Sequence, residues 1–465
     1  MPKPTANFRC DECGHELAKW VGRCPECQTW GTVSEAGGRP AGRVTAGPVS
    51  APARPIAEVA GEAAAHRPTG IGELDRVLGG GLVPGSVVLL AGEPGVGKST
   101  LLVTAAAQIA DSGRRCLVVT GEESAAQVRL RAGRIGAIAD DLYLAAETEL
   151  SAVLGHVDAV KPDVLVVDSV QTIGTATVDG TPGGVAQVRE VAASLTRVAK
   201  ERGIATIVVG HVTKDGAIAG PRVLEHLVDV VLHFEGDRHS RLRLVRTVKN
   251  RFGPADEVGC FDLTDDGIQG LADPSGLFLT RSAEPVPGTC VTVAMEGRRA
   301  LLTEVQSLVG ATTTPTPRRT TSGLDNARVS MILAVLERRA RHRLHDKEVY
   351  AATVGGVRLV EPAADLAVAL AVASAATDFI VPSDLIAIGE VGLAGEVRPV
   401  STVLARLQEA ARLGFRSALV PTGSTVRAEG IRVREVADLN EALRVLVRAA
   451  PPATLADVVR LETVP

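Results

Sequence analysis

Aromatic residues make up only 2% of the 465-residue chain, with two Trp, two Tyr and seven Phe. That scarcity excludes extensive base-stacking platforms, except where an aromatic stands among basic residues. No apolar run reaches the roughly 18 residues needed to span a bilayer, and the N-terminus lacks the apolar core of a secretory signal. A cytoplasmic protein without a membrane anchor is expected. Excess positive charge is missing too. With 50 Lys+Arg against 54 Asp+Glu the net charge is −4, so nucleic acid would have to be held by local Lys/Arg clusters. The seven cysteines are odd in number. Four are bunched near the start, which suits metal binding in a reducing compartment better than a disulfide framework.

A hydrophobic content of 45% is ample for two or three packed domains. The most informative stretch is GEPGVGKST, formed by Gly92, Glu93, Pro94, Gly95, Val96, Gly97, Lys98, Ser99 and Thr100. It fits G-x-x-x-x-G-K-[ST]. The apolar run 87–91 before it reads as a buried parallel strand, and Leu101 onwards reads as a helix. Gly92, Gly95 and Gly97 allow backbone N–H groups to approach phosphates, and the helix N-terminus adds a positive dipole end. Lys98 is expected against the β- and γ-phosphates and the Ser99 hydroxyl on Mg²⁺, which makes ATP and Mg²⁺ the expected cofactors.

Near the start, Cys10-x-x-Cys13 and Cys24-x-x-Cys27 are separated by ten residues. Two such knuckles can close one tetrahedral thiolate site for Zn²⁺, the metal standing in for a core that some thirty residues cannot build. A redox dithiol or a disulfide pair is the competing reading. His15 lies beside a knuckle. Trp20 and Trp30 are expected to cover this ribbon. Residues 35–66, rich in Ala, Gly, Pro and Arg, read as a flexible linker. The expected organisation is a zinc ribbon at 1–34, the linker at 35–66, an ATPase domain at 67–273 and an α+β domain at 274–465.

Beyond the loop, runs at 116–120, 164–168, 205–210 and 228–234 read as further strands, alternating with helical stretches such as 185–202. This is the pattern of a doubly wound parallel sheet, in which ligands bind at the carboxyl ends of strands. Asp168 ends its strand and can reach Mg²⁺ or its water. Glu122 and Glu123 also follow a strand, and one of them is a candidate to polarise the attacking water. After residue 273, SGLFL, GTCVTVAMEG and RALLTEVQSLV read as strands. The helix expected at 326–343 gathers Arg328, Arg338, Arg339, Arg341 and Arg343 into a nucleic-acid candidate; a solvated helix face is the alternative.

The leader TGIGELDRVLGGGLVPG, the GEPGVGKST loop, GEES, VVDSVQT, GHVTK and KNRFG together resemble the bacterial RadA (Sms) family of DNA-repair proteins over nearly the whole chain. The central part is also similar to RecA, KaiC and DnaB-type helicases. That resemblance implies a RecA-like core, nucleotide bound between subunits of a ring expected to be hexameric, and Lys249 and Arg251 of KNRFG reaching a neighbour's γ-phosphate. It places DNA-binding loops at 174–184 and 213–222, with Lys214 and Arg222 as phosphate contacts, and a γ-phosphate sensor at His211. The C-terminal part resembles the proteolytic domain of Lon. Where Lon has its serine and lysine, this chain has Ala363 and Leu404, so no Ser-Lys dyad remains. The implied function is a DNA-dependent ATPase of recombinational repair, a motor on single-stranded DNA that promotes branch migration with a RecA-type recombinase as partner. A strand-exchange protein or a nucleotide-switched DNA-binding protein are the alternatives.

Overall fold

The computed structural model describes residues 8–35, 53, 55–58, 65–211, 223–236, 241–280, 285–312, 314 and 316–449. The chain forms two compact units, Met1–Gly61 and Glu62–Pro465. Most of the expected linker lies outside the described residues.

In the first unit, β1 (Phe8–Cys10), β2 (Glu16–Leu17) and β3 (Val33–Glu35) make a small antiparallel sheet in the order β2-β1-β3. Its interior consists of Cys10, Cys24 and Val33, with Phe8, Leu17, Val21 and Cys27 packed around them. The tryptophans do not cover it as expected. Trp20 is 62% and Trp30 72% exposed, because the cysteine cluster already fills the interior. The two indoles instead flank Gly22, where an added Cβ would lie 3.7 Å from Trp30 and 3.8 Å from Trp20.

The second unit opens with α1 (Gly72–Leu78), ended by Gly79 in the left-handed conformation. A nine-stranded sheet follows, built from β4 (Val87–Gly92), β5 (Cys116–Thr120), β6 (Leu142–Ala146), β7 (Val164–Asp168), β8 (Ala205–His211), β9 (Val230–Gly236), β10 (Leu242–Asn250), β11 (Val258–Thr264) and β12 (Gly267–Gly270). The order is β12-β11-β10-β9-β4-β8-β7-β5-β6. Strands β9, β4, β8, β7, β5 and β6 run parallel, and β10 to β12 add an antiparallel flank. The crossover helices are α2 (Lys98–Asp111), α3 (Ala125–Arg134), α4 (Leu150–Val160) and α5 (Val185–Arg202).

Both faces of this sheet are covered. Val88 and Leu90 pack with Leu101, Leu102 and Ile109 of α2 on one side. Val87, Leu89 and Ala91 pack with Val188, Val191 and Leu195 of α5 on the other. Double coverage is why the central strands read as unbroken apolar runs. Strand β6, with only one buried residue in five, and the antiparallel flank lacked that signature and were not expected.

After α6 (Ser275–Phe278) comes a seven-stranded sheet of β13 (Thr289–Glu296), β14 (Arg299–Ala311), β15 (Arg319–Ser322), β16 (Lys347–Thr353), β17 (Leu385–Ala387), β20 (Ser417–Pro421) and β21 (Arg432–Val436), in the order β15-β16-β14-β13-β17-β20-β21. A two-stranded ribbon, β18 (Glu390–Val391) with β19 (Val397–Arg398), stands apart from it. Helices α7 (Asn326–Arg338), α8 (Asp365–Thr377), α9 (Val403–Arg412) and α10 (Leu439–Ala449) complete this part. The SGLFL stretch starts as a helical turn and not as a strand, since Asp273 Oδ1 accepts the Ser275 amide (3.0 Å) directly after the donor-less Pro274. Helix α7 stops at Arg338, short of residue 343, and Arg341 at φ 59° turns the chain towards β16. A buried ion pair ties the two sheets together: Arg299 donates to Glu73 of α1 and to the Ala272 carbonyl (2.8 Å), and Glu73 also accepts the Cys260 amide (2.8 Å). No helix among the described residues is long and apolar enough to cross a membrane.

Candidate nucleotide site and metal centre

Strand β4 delivers the glycine loop to the N-terminus of α2. Gly92 is required because an added Cβ would lie 2.5 Å from the Phe234 carbonyl of β9. Gly95 and Gly97 stand at φ 80° and 109°, a region that favours glycine. Lys98 is 3% exposed, and its ammonium donates to the Gly92 and Glu93 carbonyls at 2.9 and 2.8 Å. Burial lowers its pKa, while the charges of Asp168 and Glu122 oppose that shift.

The order β4-β8-β7-β5 sets four carboxyl ends side by side, so Lys98, His211, Asp168 and Glu122 converge from separate parts of the chain. Donor atoms of Glu122, Asp168 and His211 all lie within 4.8 Å of one another. Asp168 is buried. Desolvation raises its pKa, with the Ser99 hydroxyl opposing. Among the described residues, Asp168 Oδ1, Gln171 Oε1 and His211 Nδ1 are buried without a hydrogen-bond partner. An orphaned carboxylate oxygen beside the Ser99 hydroxyl is the hard oxygen donor set that suits Mg²⁺.

The two candidate glutamates differ. The Thr120 hydroxyl accepts both their amides, and Ser124 caps α3 through a reciprocal pair with Gln127, which sends the two side chains apart. Glu122 accepts the Ser169 hydroxyl (2.7 Å) and bonds His211 Nε2 (2.8 Å). His211 above all, with Ser169, holds its carboxyl down at about 2 against the effect of burial. Glu123 is instead tied to Arg131 on α3. Glu122→Gln is therefore expected to lower ATP turnover on the order of a hundredfold, the scale of a lost acid–base group, with Glu123→Gln close to wild type. Steady-state turnover of both variants checks this, and the reverse ranking would refute it.

Lys249 and Arg251 do not join this cluster. Lys249 Nζ donates to the Glu225 and Val228 carbonyls (2.7 and 2.8 Å), and Arg251 pairs with Asp229 (3.2 Å), whose other oxygen accepts the Val87 amide (3.1 Å). Val87 begins β4 and Gly92 ends it. These cations thus sit about 17 Å of strand away from their own phosphate loop. Lys214 and Arg222 lie outside the described residues. The 174–184 loop carries no basic residue and is organised by Gln187, which bonds the backbone of Thr175, Val178 and Gly180.

In the C-terminal part, Ala363 is buried and Leu404 is 43% exposed. Two positions beyond Leu404 on α9, the buried Arg406 donates to both oxygens of Glu361 (2.7 Å each). Arg328 donates to both oxygens of Asp365 (2.6 and 2.7 Å), which removes it from the candidate basic surface. Arg338, Arg339, Arg341 and Arg343 remain exposed.

In the ribbon the four thiol sulfurs of Cys10, Cys13, Cys24 and Cys27 lie within 4.8 Å of one another, with Cys10–Cys27 at 3.7 Å and Cys13–Cys24 at 3.6 Å. A tetrahedral zinc tetrathiolate with Zn–S of about 2.3 Å has sulfur–sulfur edges of about 3.8 Å, so the set fits that ion. The Thr32 hydroxyl and the Cys13 amide hold the Cys10 thiol down at about 6.

Ser169 and Asp229 escaped the sequence reading because each acts through a partner distant in the chain, Glu122 and Val87, while Arg131 and Gln187 act through nearer partners but belong to no motif.

Residues 54–217 match an AAA domain family, residues 8–35 a rubredoxin metal binding domain and residues 356–424 the subunit ChlI of Mg-chelatase. A solved KaiC-like protein of the archaeon Pyrococcus horikoshii aligns with 45% of this chain and 99% of its own, at 24% identity and a TM-score of 0.37. The DNA repair protein RadA of Mycolicibacterium smegmatis is 56% identical over 455 residues, covering 96% of this chain and 97% of that protein. RadA of Halalkalibacterium halodurans is 43% identical, covering 96% and 99%. With identity sustained from the cysteine knuckles to the C-terminal sheet, the chain belongs to the DNA repair protein RadA family.

Proposed function

We propose that this protein is a DNA-dependent ATPase of recombinational repair, a ring motor, expected to be hexameric, that moves on single-stranded DNA and extends recombination intermediates by branch migration. The observation that carries this reading is the position of Lys249 and Arg251. They lie at the opposite end of the sheet from their own phosphate loop, which supports a role at a neighbour's loop. In a ring, such cations stabilise charge on the transferring phosphoryl group and make turnover depend on subunit contact.

Lys98 and the loop amides bind the β- and γ-phosphates. Ser99 and Asp168 would hold Mg²⁺, which when bound neutralises charge on the phosphates. Glu122, ionised and fixed by Ser169 and His211, orients the attacking water. His211, bonded to Glu122, acts as the γ-phosphate sensor in this reading and precedes in sequence the 213–222 segment to which Lys214 and Arg222 belong. The four ribbon cysteines would hold Zn²⁺, and the exposed arginines after α7 add phosphate contacts. A RecA-type recombinase is the expected partner.

ATP turnover by the full-length protein with and without single-stranded DNA tests this. Stimulation of several-fold is expected, weakening steeply as salt rises, together with unwinding of a forked substrate. Turnover indifferent to DNA at every salt concentration would overturn the motor reading.

A further inference from the structure

The phosphate loop is held from outside by a residue that belongs to no nucleotide-binding motif. Arg243 lies on β10, 147 positions from its partner, is 6% exposed, and donates through Nε to the Val96 carbonyl at 3.0 Å. It also donates to the Leu242 carbonyl at 2.9 Å. The Val96 carbonyl and the Gly97 N–H belong to one planar peptide, and in a trans peptide they point in opposite directions. A donor that fixes the carbonyl on the protein side therefore aims the Gly97 N–H away from it, into the loop. Such a lock matters at this position. Gly97 adopts φ 109° and has no Cβ to resist a flip of the preceding peptide.

The strand beside Arg243 is shaped to admit it. Gly236 of β9 is its register partner, and an added Cβ there would lie 2.3 Å from Arg243 Cδ. Phe234 and Leu263 back Gly97 from the same side, with an added Cβ on Gly97 3.6 and 3.7 Å from them. Only Arg243 supplies polar restraint from that flank among these three.

We propose that Arg243 is a positioning residue for nucleotide binding: it locks the Val96–Gly97 peptide so that the Gly97 N–H faces the phosphates. The inference rests on the reading of this loop as the ATP site. Arg243 touches the loop and not the reacting atoms, so it strengthens ground state and transition state alike. Its loss should then appear in affinity and not in the chemical step.

The test uses the full-length protein with Mg²⁺, titrated with a fluorescent ADP analogue and assayed for ATP turnover. Arg243→Gln should raise the ADP Kd and the ATP KM about tenfold, the scale of one lost charge-assisted hydrogen bond, with kcat within about threefold of wild type. Gly236→Ala should give the same signature by displacing Arg243, and Arg243→Lys should recover part of the affinity. Arg241→Gln, at the residue just before the same strand but paired at the surface with Asp262, should leave both constants unchanged. Lys98→Ala separates the two levels of inference. Unchanged Kd and KM in Arg243→Gln, or a fall in kcat alone, overturns the lock when Lys98→Ala loses ADP. Wild-type ADP affinity in Lys98→Ala would instead overturn the loop assignment. If Arg243→Gln does not fold, Gly236→Ala and Arg243→Lys carry the same readings.

Discussion

Lys98→Ala is expected to reduce ATP turnover by at least two to three orders of magnitude, roughly the cost of removing one preorganised donor from a developing oxyanion. The expectation follows from how the loop is built. Its other donors are backbone amides, and Lys98 is the cation within the loop itself, buried against the Gly92 and Glu93 carbonyls. A bound phosphate offers the ammonium a negative partner in place of two neutral ones, and the gain grows as charge builds up in the transition state. The fold should survive. Burial puts the folded-state pKa of Lys98 below its unfolded value, so between those two values the unfolded chain binds more protons and stability rises with pH. Burial thus works against the charged lysine in the folded state, and its removal should leave the melting temperature of the nucleotide-free protein close to wild type. Turnover and thermal unfolding measured side by side decide the matter. Wild-type turnover in this variant would remove the loop from the mechanism.

Mixing Arg251→Ala with Lys98→Ala should restore hydrolysis that neither variant has alone. If Arg251 merely steadied its own subunit through Asp229, each variant would carry an independent lesion and no mixture would recover. If Arg251 serves the neighbour, an interface is whole when its loop comes from Arg251→Ala and its cation from Lys98→Ala. In an equal mixture that arrangement arises at about one interface in four, so turnover near a quarter of wild type is expected for head-to-tail contacts that work independently. Single-stranded DNA should stimulate the recovered activity. The absence of recovery, with mixed rings confirmed by mass, would assign Lys249 and Arg251 to a role inside their own subunit.

What could be read from the sequence is what neighbouring residues decide among themselves. The phosphate loop needs three glycines, a lysine and a hydroxyl within nine positions, and the cysteine knuckles close within four, so both are complete before any long-range contact forms. Strands β4, β5, β7 and β8 announce themselves because burial on both faces demands unbroken apolar runs. The choice between Glu122 and Glu123 was beyond such reading. They are adjacent residues after one strand, and only the place of β5 beside β7 gives one of them Ser169 and His211 while α3 takes the other. The same is true of Lys249 and Arg251, whose remoteness from their own loop follows from β10 running antiparallel to β9, and of Arg243, whose partner is 147 positions away. The outward tryptophans of the ribbon depended on how little interior the cysteines leave. Local motifs are set by backbone dihedrals and hydrogen bonds within a few residues. Strand order is chosen by the packing of the whole sheet, since many pairings satisfy the same apolar pattern and only one brings Glu122, Asp168 and His211 to a single point.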